Sequence, residues 1–137
     1  MLILTHVTEP HDEPYGVVVL DYAQRQRQSF LVRLKSGEEV RVALPREAAI
    51  VPGAFLRSED GRVVRVVAAT ETVHRADFAN PLELARAAYA LGARHTPVQV
   101  EDGWLLTLPD ATTRRVLEEF GATVRTEHLP FQPERRL

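Results

Sequence analysis

The chain has 137 residues, 45% of them hydrophobic and 26% charged, the balance of a folded globular protein rather than a disordered one. Its formal net charge is −2 with acids and bases interspersed, so it shows no electrostatic footprint for nucleic acid or an anionic membrane. It contains no cysteine, which excludes disulfides, thiolate nucleophiles and thiolate metal sites together and leaves imidazole, carboxylate or backbone oxygen as the only metal ligands.

The first residues, "MLILTHVTEPHDE", hold a brief apolar run without a basic leader or cleavage site, and nothing approaches the ~18 apolar residues of a membrane span. A cytoplasmic protein is the simplest expectation. Through about residue 69 the sequence reads as short strands, "YGVVVLDY", "SFLVRLK", "EEVRVALP" and "AFLRSEDGRVVRVVAA", separated by "KSGE", "VPG" and "EDG". These are hairpin signals, Asp60-Gly61 being the strongest, and they predict an all-β domain over residues 1–69, a small barrel or sandwich without a helix.

After "AATE" the pattern changes. "ETVHRADF" reads as a strand, and Asn80-Pro81-Leu82-Glu83 supplies an N-cap, a proline at the first helical position and a glutamate at N3. Leu84, Ala87, Ala88 and Leu91 follow at helical spacing, and Gly92 is the expected left-handed stop, which leaves His95 in the helix-to-strand loop. "PVQV", the turn "EDG" and the strand "WLLTL" come next, then a helix capped by Asp110 and ended by Gly121, and a last strand in "ATVRTEH". The order β-α-β-β-α-β over residues 70–137 predicts a ferredoxin-like domain and an α+β protein. Halves of about 70 residues bury only about 60% of their unfolded surface, so subunit contacts are expected.

Chemistry that could support an enzyme is sparse. The acidic pairs Glu38-Glu39, Glu59-Asp60 and Glu101-Asp102 sit in turns and Glu118-Glu119 on a helix flank, where solvated carboxylates are routine. Ser29, Ser36 and Ser58 lack a glycine-flanked elbow, and no glycine-rich phosphate loop occurs. A non-enzymatic role is expected. Of the five histidines, His6 and His11 lie near the N-terminus, and His74 and His128 fall on the first and last strands of the second half. Spacing alone favours His95 as a cation at a helix end over His95 as a ligand, a role Arg94 would fill equally well. Two-fold symmetry changes the count, because one imidazole near a dimer axis appears twice around a shared ion, in an open site suited to a carrier that gives its metal away.

"LARAAYALGARHTPVQV", an acidic aliphatic hairpin, "DATTRRVLEEFGATV" and "LPFQPE" together resemble the urease accessory protein of the UreE family, a nickel metallochaperone. The first half fits less specifically through "VRLKSGEEVRVALPRE" and "DGRVVRVVAATE". The resemblance implies an N-terminal domain akin to peptide-binding domains and a C-terminal ferredoxin-like domain that dimerises. It implies Ni2+ held by His95 of each subunit, with Zn2+ or Cu2+ able to substitute in vitro, and delivery to urease apoprotein and its assembly GTPase complex. The chain departs from the family pattern in carrying Ala93 where asparagine is common and Ala90 where a helix histidine is frequent. It also shows no His-rich tail, so bulk nickel storage is not expected. "LPDATTRRV" has no match to the auxiliary histidines of some members, which leaves His128 as the candidate auxiliary ligand. The alternative is a ferredoxin-like regulatory, small-ligand or peptide-binding module without metal transfer.

Overall fold

In the computed structural model, which describes residues 1–135, the chain divides into two compact units, Met1–Ala69 and Thr70–Leu137. The first unit contains β1 (Leu2–Thr8), β2 (Gly16–Leu20), a single helical turn α1 (Tyr22–Arg25), β3 (Ser29–Arg33), β4 (Glu39–Ala43), β5 (Phe55–Ser58) and β6 (Val63–Ala68). Its strands form one sheet in the order β2-β6-β5-β1-β4-β3. β1 runs parallel to β4, and β2 parallel to β6, while the other neighbouring pairs are antiparallel. Alternation decides which face is inside: Leu2, Leu4, Val40, Val42, Val18, Leu20, Val64 and Val66 are buried in one cluster, each worth roughly 1.5–3 kcal/mol of apolar transfer. The Lys35 N–H donates to the Val17 carbonyl at 2.7 Å. This bond ties the chain just beyond β3, at one end of the strand order, to β2 at the other, so the sheet curls towards closure.

The structure corrects two expectations for this unit. It contains a helical turn: Asp21 caps α1 by accepting the Gln24 N–H, and the Gln24 side chain returns the bond to the Asp21 N–H. The opening "LILTHVT", absent from the strands expected from sequence, is strand β1, in mid-sheet between β5 and β4.

The second unit runs β7 (Thr70–Asp77), α2 (Pro81–Ala93), β8 (Gln99–Val100), β9 (Trp104–Thr107), α3 (Ala111–Glu119) and β10 (Thr123–Pro130). Its sheet has the order β10-β7-β9-β8, and all three neighbouring pairs are antiparallel. α2 begins where Asn80 Oδ1 accepts the Glu83 N–H at 2.9 Å with Pro81 at the first helical position, and α3 begins where Asp110 accepts the Thr113 N–H at 2.8 Å. Ala87 and Leu91 of α2 and Leu117 of α3 share a buried cluster with the cross-strand pair Ala76 and Leu105. Both helices therefore cover the same face of the sheet. Among the described residues no helix is long and apolar enough to cross a membrane.

Candidate metal centre at the end of the second helix

α2 does not stop at Gly92. It continues through Ala93 with Arg94 as its C-cap, and the left-handed residue that ends it is His95, at φ 60°. The His95 N–H donates to the Gly92 carbonyl at 3.0 Å and the Thr96 N–H to the Leu91 carbonyl at 3.0 Å. Those two bonds are the paired closure of a Schellman motif with His95 in the position where glycine is the usual residue.

The other helix shows the usual solution. At the end of α3 the Gly121 N–H bonds the Glu118 carbonyl (3.0 Å) and the Ala122 N–H bonds the Leu117 carbonyl (3.1 Å), with Gly121 at φ 85°. The two helices thus end in the same motif, one with glycine and the other with an imidazole. Among the described residues His95 is the one non-glycine with positive φ. A side chain with a Cβ pays roughly 1–2 kcal/mol for this conformation, although histidine and asparagine tolerate it better than most.

The backbone that leaves His95 is held by the C-terminal segment. Beyond His95 the chain enters β8 through Pro97 and the buried Val98. The "PFQPE" segment at residues 130–134 then laces onto that strand. The Glu134 N–H donates to the Val98 carbonyl (2.7 Å), the Val100 N–H to Glu134 Oε1 (3.0 Å) and the Gln132 N–H to Gln99 Oε1 (2.8 Å), while Phe131 is fully buried. These bonds explain why two motifs far apart in sequence occur together: one carries His95 and the other fixes the strand leaving it. Gln99 was not singled out by sequence, and Glu134 only as the end of the "LPFQPE" motif, without a structural role. The available signal was an amide and a carboxylate beside prolines, groups able to replace ladder bonds that proline cannot make.

His95 is exposed. Among the described residues no cluster of three or more His, Cys, Asp or Glu side chains could hold a metal. The outer side of α2 leading to it is apolar: Tyr89 is 81% exposed and Leu82 57%. An open hollow of about 360 Å3 lies between Ala85, Arg86, Tyr89, Ala90 and Phe120.

The remaining histidines are scattered. His128 is exposed on β10 at the sheet edge, opposite Thr72. His74 is buried on β7, and burial pushes its imidazole below the ordinary histidine pKa, with the nearby Arg114 charge acting in the same direction. His6 lies on β1, where Thr5 Oγ1 is 2.8 Å and Glu59 Oε1 3.9 Å from its Nδ1. His11 accepts the Glu13 N–H at 3.3 Å. None of these contacts joins two imidazoles.

Comparison with known proteins agrees across the chain. Residues 3–69 match the model of the UreE urease accessory protein N-terminal domain, and residues 71–136 that of the C-terminal domain. Urease accessory protein UreE of Nitrosospira multiformis is 40% identical over 134 residues, which cover 98% of this chain and 76% of that protein. The proteins of the same name from Pseudomonas savastanoi pv. phaseolicola and a Janthinobacterium species are 39% and 37% identical, again over 98% of this chain, and over 81% and 79% of their own lengths. The chain therefore belongs to the UreE family of urease accessory proteins and is an accessory protein in urease maturation, not an enzyme.

Proposed function

We propose that a homodimer of this chain binds Ni2+ through His95 of each subunit and delivers it for assembly of the urease metallocentre, with urease apoprotein and its assembly GTPase complex as partners. The observation that carries this reading is the conformation of His95. The motif at the end of α3 shows that glycine performs the same backbone task. Histidine at that point of α2 costs stability, and residues held in strained conformations cluster at functional sites. What the strain provides is an exposed imidazole fixed to a rigid helix end.

A single neutral imidazole is a weak ligand set, and a copy related by a two-fold axis doubles it. The exposed Tyr89, Leu82 and the apolar hollow beside them support a second copy packing near α2. The strand order β10-β7-β9-β8 with helices on one face supports reading residues 70–137 as a ferredoxin-like metal-binding and dimerisation domain. Residues 1–69 form its peptide-binding-like companion. The site has no ligand that selects nickel strongly, so Zn2+ and Cu2+ compete in vitro, and the choice of metal in the cytoplasm rests on partners and supply. His128, on the sheet edge, is an auxiliary ligand at most.

Calorimetry with Ni2+ tests the proposal. His95→Ala abolishes the tightest site with fold and dimer intact, His128→Ala weakens binding only partly, and His6, His11 or His74→Ala leaves it unchanged. Undiminished binding by His95→Ala returns the histidine to a capping role and favours a regulatory or peptide-binding module.

A further inference from the structure

Among the described residues, two buried side-chain polar atoms lack a hydrogen-bond partner, His74 Nδ1 and Thr107 Oγ1. They belong to residues paired directly across β7 and β9, on the face covered by the helices. His74 is 8% exposed and Thr107 fully buried. A buried polar group without a partner costs about 1–3 kcal/mol and calls for a reason. Here two such groups adjoin on the central part of one sheet, and one of them can take up a proton.

The charges facing the ring do not offset its burial: Arg114 opposes the protonated form, and Asp110 and Glu118, which favour it, act more weakly than burial does. From β9 and β10 the paired residues are Thr107 and Thr126, both uncharged. His128, the next titratable group on that side of β10, is exposed two residues beyond Thr126. From α3 come Asp110, Arg114 and Glu118. Asp110 is committed to the helix N-cap, where it accepts both the Thr113 N–H and its hydroxyl, at 2.8 and 2.9 Å. Glu118 lies 3.7 Å from Arg114 in an ion pair. Arg114 itself donates to the Val124 carbonyl at 3.3 Å, which pins a fixed cation over this end of the sheet. An imidazolium formed in place is opposed by burial and by the Arg114 cation, while the two carboxylates that favour it are already engaged, Asp110 in the helix cap and Glu118 with Arg114.

We propose that His74 is an acid-sensitive latch: while its ring is neutral it holds α3 against the sheet, and when the ring takes up a proton the helix lifts to let it reach water. Burial lowers the ring's proton affinity in the closed form, so the closed form is favoured at high pH and is lost as pH falls below the value of a solvated histidine.

Hydrogen exchange on the whole protein, read as protection factors so that the intrinsic pH dependence cancels, tests the latch. An open form whose histidine titrates near about 6.5 is favoured by up to roughly thirtyfold at pH 5.0 relative to pH 7.5. Protection of the α3 amides should fall towards that factor in the wild type and stay level in His74→Leu, while β1 and β4 keep their protection in both. NMR titration of the His74 ring in the wild type gives a readout that needs no variant: its midpoint lies below that of a solvated histidine and tracks the loss of α3 protection. Equal loss of α3 protection in His74→Leu, or a ring that titrates fully with α3 still protected, overturns the proposal.

Discussion

Replacing His95 by glycine should make the metal-free protein more stable and the metal-loaded protein less stable, and that crossing separates a ligand from a cap. The residue sits at φ 60° and is exposed, so the substitution removes little buried area. Relief of the left-handed penalty gains roughly 1–2 kcal/mol, while the extra freedom of glycine in the unfolded chain costs about 0.4–1 kcal/mol. The net gain is about 0.5–1 kcal/mol, or roughly 2–8 °C in melting temperature for a unit of this size. With Ni2+ at about a hundred times its dissociation constant the wild type gains about 2.7 kcal/mol and the variant gains nothing. Thermal unfolding with and without Ni2+ reads both effects, and His95→Ala serves as the control that keeps the strain while losing the ligand. A His95→Gly protein that is less stable than wild type by about 1 kcal/mol or more without metal would show that the ring caps the helix. A nickel-induced shift surviving in His95→Gly would remove the ligand assignment.

Three further outcomes follow from other parts of the structure. Tyr89→Glu places a charge on the exposed outer face of α2 and should convert a dimer to monomer at micromolar concentration by light scattering, without loss of helical circular dichroism. Thr107→Val replaces a fully buried, unpartnered hydroxyl by a methyl of the same shape and should raise stability by about 1 kcal/mol in urea unfolding. The Thr113 N–H, then its hydroxyl, hold the Asp110 carboxyl below its usual range. Its contribution is therefore complete above the unfolded value near about 4 and disappears as pH falls through the lower folded value, and Asp110→Ala should flatten that part of an acid-unfolding curve.

What could be read without a structure was what lies close together in the chain. Asn80, Pro81 and Glu83 announce the start of α2 because a cap and its first turn are four consecutive residues. Asp110 and Gly121 bracket α3 for the same reason. Gly92 misled: glycine is the usual left-handed terminator, yet here it is helical and the turn comes three residues later at His95. The glycine rule states where the conformation is cheapest, not where it must occur. Strand β1 escaped notice because its partners are Val40–Val42 and Phe55–Ser58, far along the chain, and seven residues carry no local sign of such pairing. The turn α1 did have a local sign, the Asp21 and Gln24 spacing of a capping box, lost among strand signals on both sides. For the site, motif order alone pointed to His95. The strained backbone that gives His95 its physical interest, and the clamp of Glu134 and Gln132 on the following strand, needed the fold.

The most direct test of nickel carriage by paired histidines is the stoichiometry of Ni2+ binding, by calorimetry at pH 7.5 on protein of known oligomeric state. One tight Ni2+ per two chains is expected, on a dimer that forms without metal. Neutral imidazole is the ligand form, so the same site should weaken when the titration is repeated at pH 5.5. One tight ion per chain on a monomer, unaltered in His95→Ala, would contradict it.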